Sequence, residues 1–200
     1  LLKALGYTAQ DLLDYFYEKD VLRFVEGKVI RNVSPTLLIG QKVQAEITDP
    51  ESGKVLVRKG KKISKLAAKR LSDLGIRETE ADIDDFYGRY AARDVINPET
   101  GEIIIGLNEP FTEEAYEAIT AAGISELPLL FIDNANISSS FRDTLALDKV
   151  ETTQEAILEI YRKIRPSTPP TPEVAQTFFD NLFFNPEHYD LSPVGRLKLN

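Results

Sequence analysis

Asp49-Pro50-Glu51-Ser52-Gly53 and Asn97-Pro98-Glu99-Thr100-Gly101 stand 48 residues apart, and residues 45–76 lie on 93–124 at that constant offset without a gap. Val55-Leu56-Val57 falls on Ile103-Ile104-Ile105, Ile63-Ser64 on Phe111-Thr112, Ala67 on Ala115, Leu71 on Ile119 and Gly75-Ile76 on Gly123-Ile124. This is an internal repeat. Proline presets φ and glycine accepts φ > 0, so each five-residue segment is turn chemistry joining two strands. Ser64 and Thr112 are placed to cap helices, and Gly75 and Gly123 to end them in the left-handed conformation. Each half therefore predicts strand, turn, strand, helix, strand. Two units of this size are expected to pack into one α+β module over 21–132.

Outside the repeat the period changes. Thr8 and Asp11 have capping-box spacing ahead of Leu12, Leu13, Tyr15 and Phe16, predicting helix within residues 1–20. From Val21 to Ile47, short apolar runs broken by Gly27, Pro35 and Gly40 predict strands and turns. After Asn134-Ala135-Asn136 and Ser138–Ser140, helical spacing returns. Ala156, Ile157, Ile160, Tyr161 and Ile164 form one face that Pro166 ends, and Thr171-Pro172 caps a helix presenting Val174, Ala175, Phe178, Phe179, Leu182 and Phe183. Ser192-Pro193 caps a last segment. The expectation is a mainly helical domain of 1–20 plus 133–200, interrupted by a strand-rich insert at 21–132, with Leu12 and Phe16 against the Phe178–Phe183 face.

The 200 residues carry 24 basic and 32 acidic side chains, a net charge of −8, and 42% are apolar. That is a globular composition, and it disfavours strong autonomous DNA binding, which rests on neutralised phosphates. With no cysteine and one histidine, His188, thiolate chemistry and sites needing two imidazoles are excluded. Apolar runs such as Leu127–Ile132 fall short of the ~20 residues that cross a bilayer, so no membrane partner is expected. The chain opens on Leu1 and reads as part of something longer. Gly60-Lys61-Lys62 lacks the glycine spacing and the Ser/Thr of a phosphate loop. Asp82, Asp84 and Asp85 lack the spacing of a calcium loop and read as a solvated acidic turn. No catalytic constellation emerges.

Charge is patterned more sharply. Lys54 to Ser72 holds eight bases and no acid, whereas the equivalent Glu102 to Thr120 holds five glutamates and no base. The sign inverts at Lys54/Glu102, Lys61/Glu109, Lys65/Glu113 and Lys69/Glu117. This predicts either two attracting, facing helices or a dipolar surface that orients a protein partner, with Lys61, Lys65, Lys69, Glu109, Glu113 and Glu117 as its docking residues.

Glu159-Ile160-Tyr161-Arg162-Lys163-Ile164-Arg165-Pro166, Pro169-Pro170-Thr171, Phe179-Asp180-Asn181-Leu182-Phe183-Phe184 and Tyr189-Asp190-Leu191-Ser192-Pro193-Val194-Gly195-Arg196-Leu197-Lys198-Leu199-Asn200 resemble the β subunit of bacterial DNA-directed RNA polymerase. Lys3-Ala4-Leu5-Gly6-Tyr7-Thr8 supports the match. The chain departs from the family at Ser167-Thr168, where Gly-Glu is usual, and at His188, where arginine is common. The resemblance implies a lobe forming one wall of the downstream DNA cleft in transcription, with the strand-rich centre as a lineage-specific insertion. It implies a non-catalytic part of a cytoplasmic nucleotidyltransferase, with no cofactor of its own and the catalytic magnesium held by the partner β′ subunit. Implied partners are the β′ and α subunits, DNA near the transcription bubble and regulatory proteins at the insert. Arg165 is implied to lie close to the non-template strand, with Arg162 and His188 also toward DNA, because a guanidinium can hold a bidentate phosphate or base-edge contact. The competing role for Arg165 is capping its own helix's carbonyls. The competing function is a free-standing protein-interaction module with no DNA role.

Overall fold

The computed structural model describes residues 1–49, 52–134, 136–188 and 190–199. Pro50 and Glu51 of the first turn, Ala135, and Tyr189 and Asn200 of the C-terminal motif lie outside the described residues. In chain order the elements are α1 (Ala9–Phe16), β1 (Lys19–Val25), β2 (Lys28–Asn32), β3 (Ile47–Thr48), β4 (Val55–Val57), α2 (Lys65–Asp73), β5 (Glu78–Ala81), β6 (Val95–Ile96), β7 (Ile103–Ile105), α3 (Glu113–Ala121), β8 (Glu126–Leu130), α4 (Ser140–Leu147), α5 (Thr153–Ile164), α6 (Pro172–Phe183) and α7 (Pro193–Leu199). The strands pair antiparallel, so the fold class is α+β.

The 48-residue spacing of the sequence is also the spacing of the backbone. β3, β4 and α2 recur residue for residue as β6, β7 and α3. Ser64 Oγ accepts from the Ala67 amide at 3.1 Å and Thr112 Oγ1 from the Ala115 amide at 3.3 Å, each satisfying a donor that a helix start leaves open. At the other end, the Ile76 amide donates to the Leu71 carbonyl and the Gly75 amide to Ser72; Ile124 to Ile119 and Gly123 to Thr120 repeat the pair. These are Schellman caps, with Gly75 at φ +68° and Gly123 at φ +67°.

Structural duplication reaches further than sequence similarity does. Short 3-10 segments at Pro35–Leu38 and Ile83–Phe86 correspond, as do the start of β5 and the start of β8. The amides of Gly40, Val43 and Ile63 donate to the carbonyls of Ile63, Lys61 and Gln41, and those of Gly88, Ala91 and Phe111 donate to Phe111, Glu109 and Arg89. Each repeat closes its own apolar cluster. One contains Leu38, Val43, Ile47, Val57, Ile63 and Leu71, and the other contains their equivalents Phe86, Ala91, Val95, Ile105, Phe111 and Ile119. Burying the Val, Leu, Ile and Phe side chains among these contributes roughly 1.5–3 kcal/mol each. A four-stranded sheet of order β5-β2-β1-β8 places Leu22, Val29, Leu127 and Leu129 in the second cluster, and Val33 and Phe131, just past β2 and β8, join the first.

The chain divides into two compact units, residues 13–143 and residues 1–12 with 144–200. Segments 13–20 and 133–143, expected with the helical domain, belong instead to the sheet-bearing unit. Lys19 and Asp20 are already strand, opposite Leu130 and Leu129. The Tyr17 hydroxyl donates to the Ser138 carbonyl and accepts from the Arg142 amide, and Phe16 packs on Phe141 at 4.2 Å between ring centroids. Phe16 therefore meets Phe141, where the sequence predicted α6. In the other unit the two chain ends share one core of Ala4, Ala156, Ile157, Tyr161, Ala175 and Phe179. Lys3 Nζ fastens it by donating to the Val150 carbonyl at 2.6 Å and pairing with Asp148 at 2.9 Å.

Gly75→Ala and Gly123→Ala are expected to destabilise the chain by about 1–2 kcal/mol each, because the cost is the left-handed backbone and no atom lies within 4 Å of an added Cβ at either position. Urea unfolding of both variants checks this; equal losses are predicted, with Asn recovering part of each.

Candidate functional site

In the unit of residues 1–12 and 144–200, α5 and α6 place Arg165 and His188 on one surface. The Thr152 side chain accepts from the Glu155 amide, and the Glu155 carboxylate accepts from the amides of Glu151 and Thr152. Those amide hydrogen bonds hold the Glu155 carboxyl below its usual pKa. Its contribution to the cap is therefore present above the ordinary glutamate pKa and is lost as pH falls through the lower folded value. At the other end of this twelve-residue helix, Arg165 is the C-cap, its amide donating to the Tyr161 carbonyl at 2.8 Å.

The Arg165 side chain does not turn back to cap its helix. Its guanidinium lies 5.1 Å from the Phe178 ring centroid, a cation–π contact that orients the group while leaving its edge to solvent. Phe178 is itself held edge-on by buried Tyr161, at 5.3 Å between centroids. Beside this stack opens a groove of about 660 Å³ lined by Arg165, Phe178, Asn181, His188 and, as its carboxylate, Glu173. The exposed Arg165 has no ion pair or side-chain hydrogen bond among the described residues. Arg162 is not in the groove; it is exposed and reaches Glu159 at 3.8 Å, one turn back on α5.

The other unit holds the charged helices. Lys61, Lys65, Lys69, Glu109, Glu113 and Glu117 are all exposed. Among the described residues no ion pair joins the bases near α2 to the acids near α3, so the attraction between facing helices is not formed. Lys19, Arg23, Lys28, Arg31 and Arg89, by contrast, all have carboxylate partners. The two repeats thus present opposite signs to solvent from one backbone design.

Sequence reading missed the principal charged cluster of this unit. Asp20, fully buried, accepts from Arg31 Nε at 2.8 Å and Nη2 at 2.5 Å and from Arg89 Nη1 at 3.0 Å. Gln41 accepts from Arg31 Nη1 at 3.0 Å. Gln41 and Arg89 are equivalent repeat positions, so one side chain from each repeat converges on the Asp20–Arg31 pair. Both guanidiniums also lie near the Phe86 ring, at 5.4 and 4.3 Å. Burial pushes the Arg89 pKa down and the Asp20 charge opposes that shift. The repeat register was the available signal for this cluster, through Gln41 and Arg89. Among the described residues, no group of three or more His, Cys, Asp or Glu side chains is placed to hold a metal ion, and no helix is long and apolar enough to cross a membrane.

No family model matches the chain. It is 43% identical over 194 residues, 96% of its length, to the DNA-directed RNA polymerase subunit beta of Anaeromyxobacter sp. (strain Fw109-5). Over its whole length it is 43% identical to the subunit of that name from Sorangium cellulosum (strain So ce56) and 45% identical to that from Desulfosudis oleivorans (strain DSM 6200 / JCM 39069 / Hxd3). By this end-to-end similarity the chain belongs to the beta-subunit family of DNA-directed RNA polymerase, as a segment of it. It spans about 15% of the length of these relatives.

Reversing Lys61, Lys65 and Lys69 to glutamate together is expected to change stability by less than about 0.5 kcal/mol per site, since none has an ion partner among the described residues. Thermal unfolding reads the outcome, and a large loss would reveal an attraction between α2 and α3.

Proposed function

We propose that this segment is a non-catalytic lobe of the polymerase β subunit that forms one wall of the downstream DNA cleft. The unit of residues 1–12 and 144–200 supplies the DNA-facing surface, and the strand-rich unit is an insertion that docks regulatory proteins. In this reading the enzyme is a cytoplasmic nucleotidyltransferase, the segment's partners are the β′ and α subunits, and the magnesium of nucleotide addition belongs to β′. The residues of this chain bind and position; they do not take part in phosphoryl transfer.

The observation that carries the DNA reading is the Arg165 guanidinium, stacked on Phe178 at the rim of a groove shared with His188. Stacking fixes the plane of the group while its donors stay available to a phosphate or a base edge, which lysine could not reproduce. Arg162 adds positive charge on the same helix outside the groove. The opposite charges that the two repeats present to solvent support the docking role of the insert, since such a surface would steer a charged partner to fast, salt-sensitive association.

Arg165→Ala in the whole polymerase should shorten promoter-complex lifetime by the equivalent of about 1–3 kcal/mol while leaving the rate of nucleotide addition unchanged. Arg165→Lys should recover only part of the loss. Lifetimes that match the parent enzyme across a salt series would refute the assignment.

A further inference from the structure

The second repeat carries a groove of about 790 Å³ between β7 and α3, with an apolar floor and an acidic rim, all within the unit of residues 13–143. Its wall is Ile103, 59% exposed, and Ile104 on β7. Ala118 on α3 and Ala122, which caps its C-terminus one helical turn on, form the floor. An apolar side chain left so exposed on a short hairpin loses the stabilisation that burial provides. Glu99, Glu102, Glu109 and Glu114 rim the groove, and none has a cationic partner among the described residues.

The first repeat supplies an internal comparison on the same backbone. Where the second has Ala118 and Ala122, the first has Arg70 and Leu74; where the second has Glu102 and Glu109, the first has Lys54 and Lys61. Larger residues thus occupy the equivalent floor positions, and two of the four rim positions have the opposite sign, while Glu114 corresponds to Leu66 and Glu99 to Glu51. Framework residues such as Leu71 and Ile119 remain buried in both. The small floor and the rim charge at Glu102 and Glu109 are therefore not demanded by the shared backbone, which the first repeat forms with larger floor residues and two lysines.

We propose that the β7–α3 groove is a docking site for a basic amphipathic helix of a protein partner. Apolar side chains of that helix would sit on Ile103, Ile104 and the alanine floor, with Lys or Arg at its margins meeting the four rim glutamates. This follows the helix-in-groove mode of recognition, with charge fixing orientation and rate. Nucleic acid is repelled by the rim, and an acidic segment would face like charge. The proposal rests on reading this unit as a docking surface and gives that surface its partner chemistry.

The test uses polymerase assembled with the full β subunit and two labelled amphipathic peptides of about four helical turns, one of Leu, Ala and Lys and one of Leu, Ala and Glu. Binding is followed by fluorescence anisotropy across a salt series. The Lys peptide should bind, weaken with salt and lose affinity at least about tenfold on Glu99→Gln with Glu102→Lys. It should lose a similar factor on Ala118→Arg with Ala122→Leu, side chains that the same backbone already holds in the first repeat. Either pair alone suffices if the other lowers the melting temperature. Binding of the Glu peptide with the same sensitivity to Ala118→Arg and Ala122→Leu would keep the docking surface and overturn the basic-helix chemistry. Binding of the Lys peptide that ignores both pairs, or binding of neither peptide, would overturn the groove itself.

Discussion

Asp20 is a carboxylate with no solvent exposure, and a charge in that position is tolerable only if its partners are fixed. Arg31 comes from the neighbouring strand and Arg89 from the second repeat, while Gln41, the Arg89 equivalent in the first repeat, holds the far side of Arg31. The backbone carbonyls of Gln41 and Arg89 in turn accept from Ile63 and Phe111, which lie just ahead of the helix caps at Ser64 and Thr112. Helix positions, cluster closure and strand pairing in the two repeats thus all refer to one buried ionic contact. Removing a partner from such a contact costs about 3–5 kcal/mol, because it leaves a charge unpaired inside.

With the framework held at that point, the surfaces were free to diverge. Turn glycines, caps and core positions coincide at the 48-residue offset, whereas the exposed positions carry opposite charge and different bulk. Gly60 and Asn108 show the two tendencies at one site: both adopt positive φ, at +75° and +66°. Only the asparagine adds side-chain contacts, accepting from Arg142 Nε at 2.7 Å and donating to the Arg142 carbonyl at 3.1 Å. Arg142 also lies 3.6 Å from the Tyr90 ring centroid, tying the start of α4 to the second repeat.

Turn chemistry and caps made residues 45–76 and 93–124 legible as a duplication, since Pro, Gly, Ser and Thr are constrained by backbone geometry wherever they stand. Upstream of these segments, Gly40 and Gly88 are the identical pair in a stretch where Leu38 faces Phe86 and Val43 faces Ala91. There only burial class is shared, which composition does not reveal. Which unit 13–20 and 133–143 join was not legible because their partners, β8 for Lys19 and Asp20 and Tyr17 for Ser138, are more than a hundred residues away in sequence. Arg165 was legible only through family resemblance. Its stacking on Phe178 depends on how α5 and α6 pack, and no local pattern encodes that.

Native-state hydrogen exchange on Asp20→Asn tests the central claim most directly, read at the amides of Ile63 and Phe111. If the buried cluster joins the repeats, both amides lose protection together and by similar amounts, as do those of Val43 and Ala91. Loss confined to β1 and its neighbours, with Ile63 and Phe111 still protected, would contradict the account.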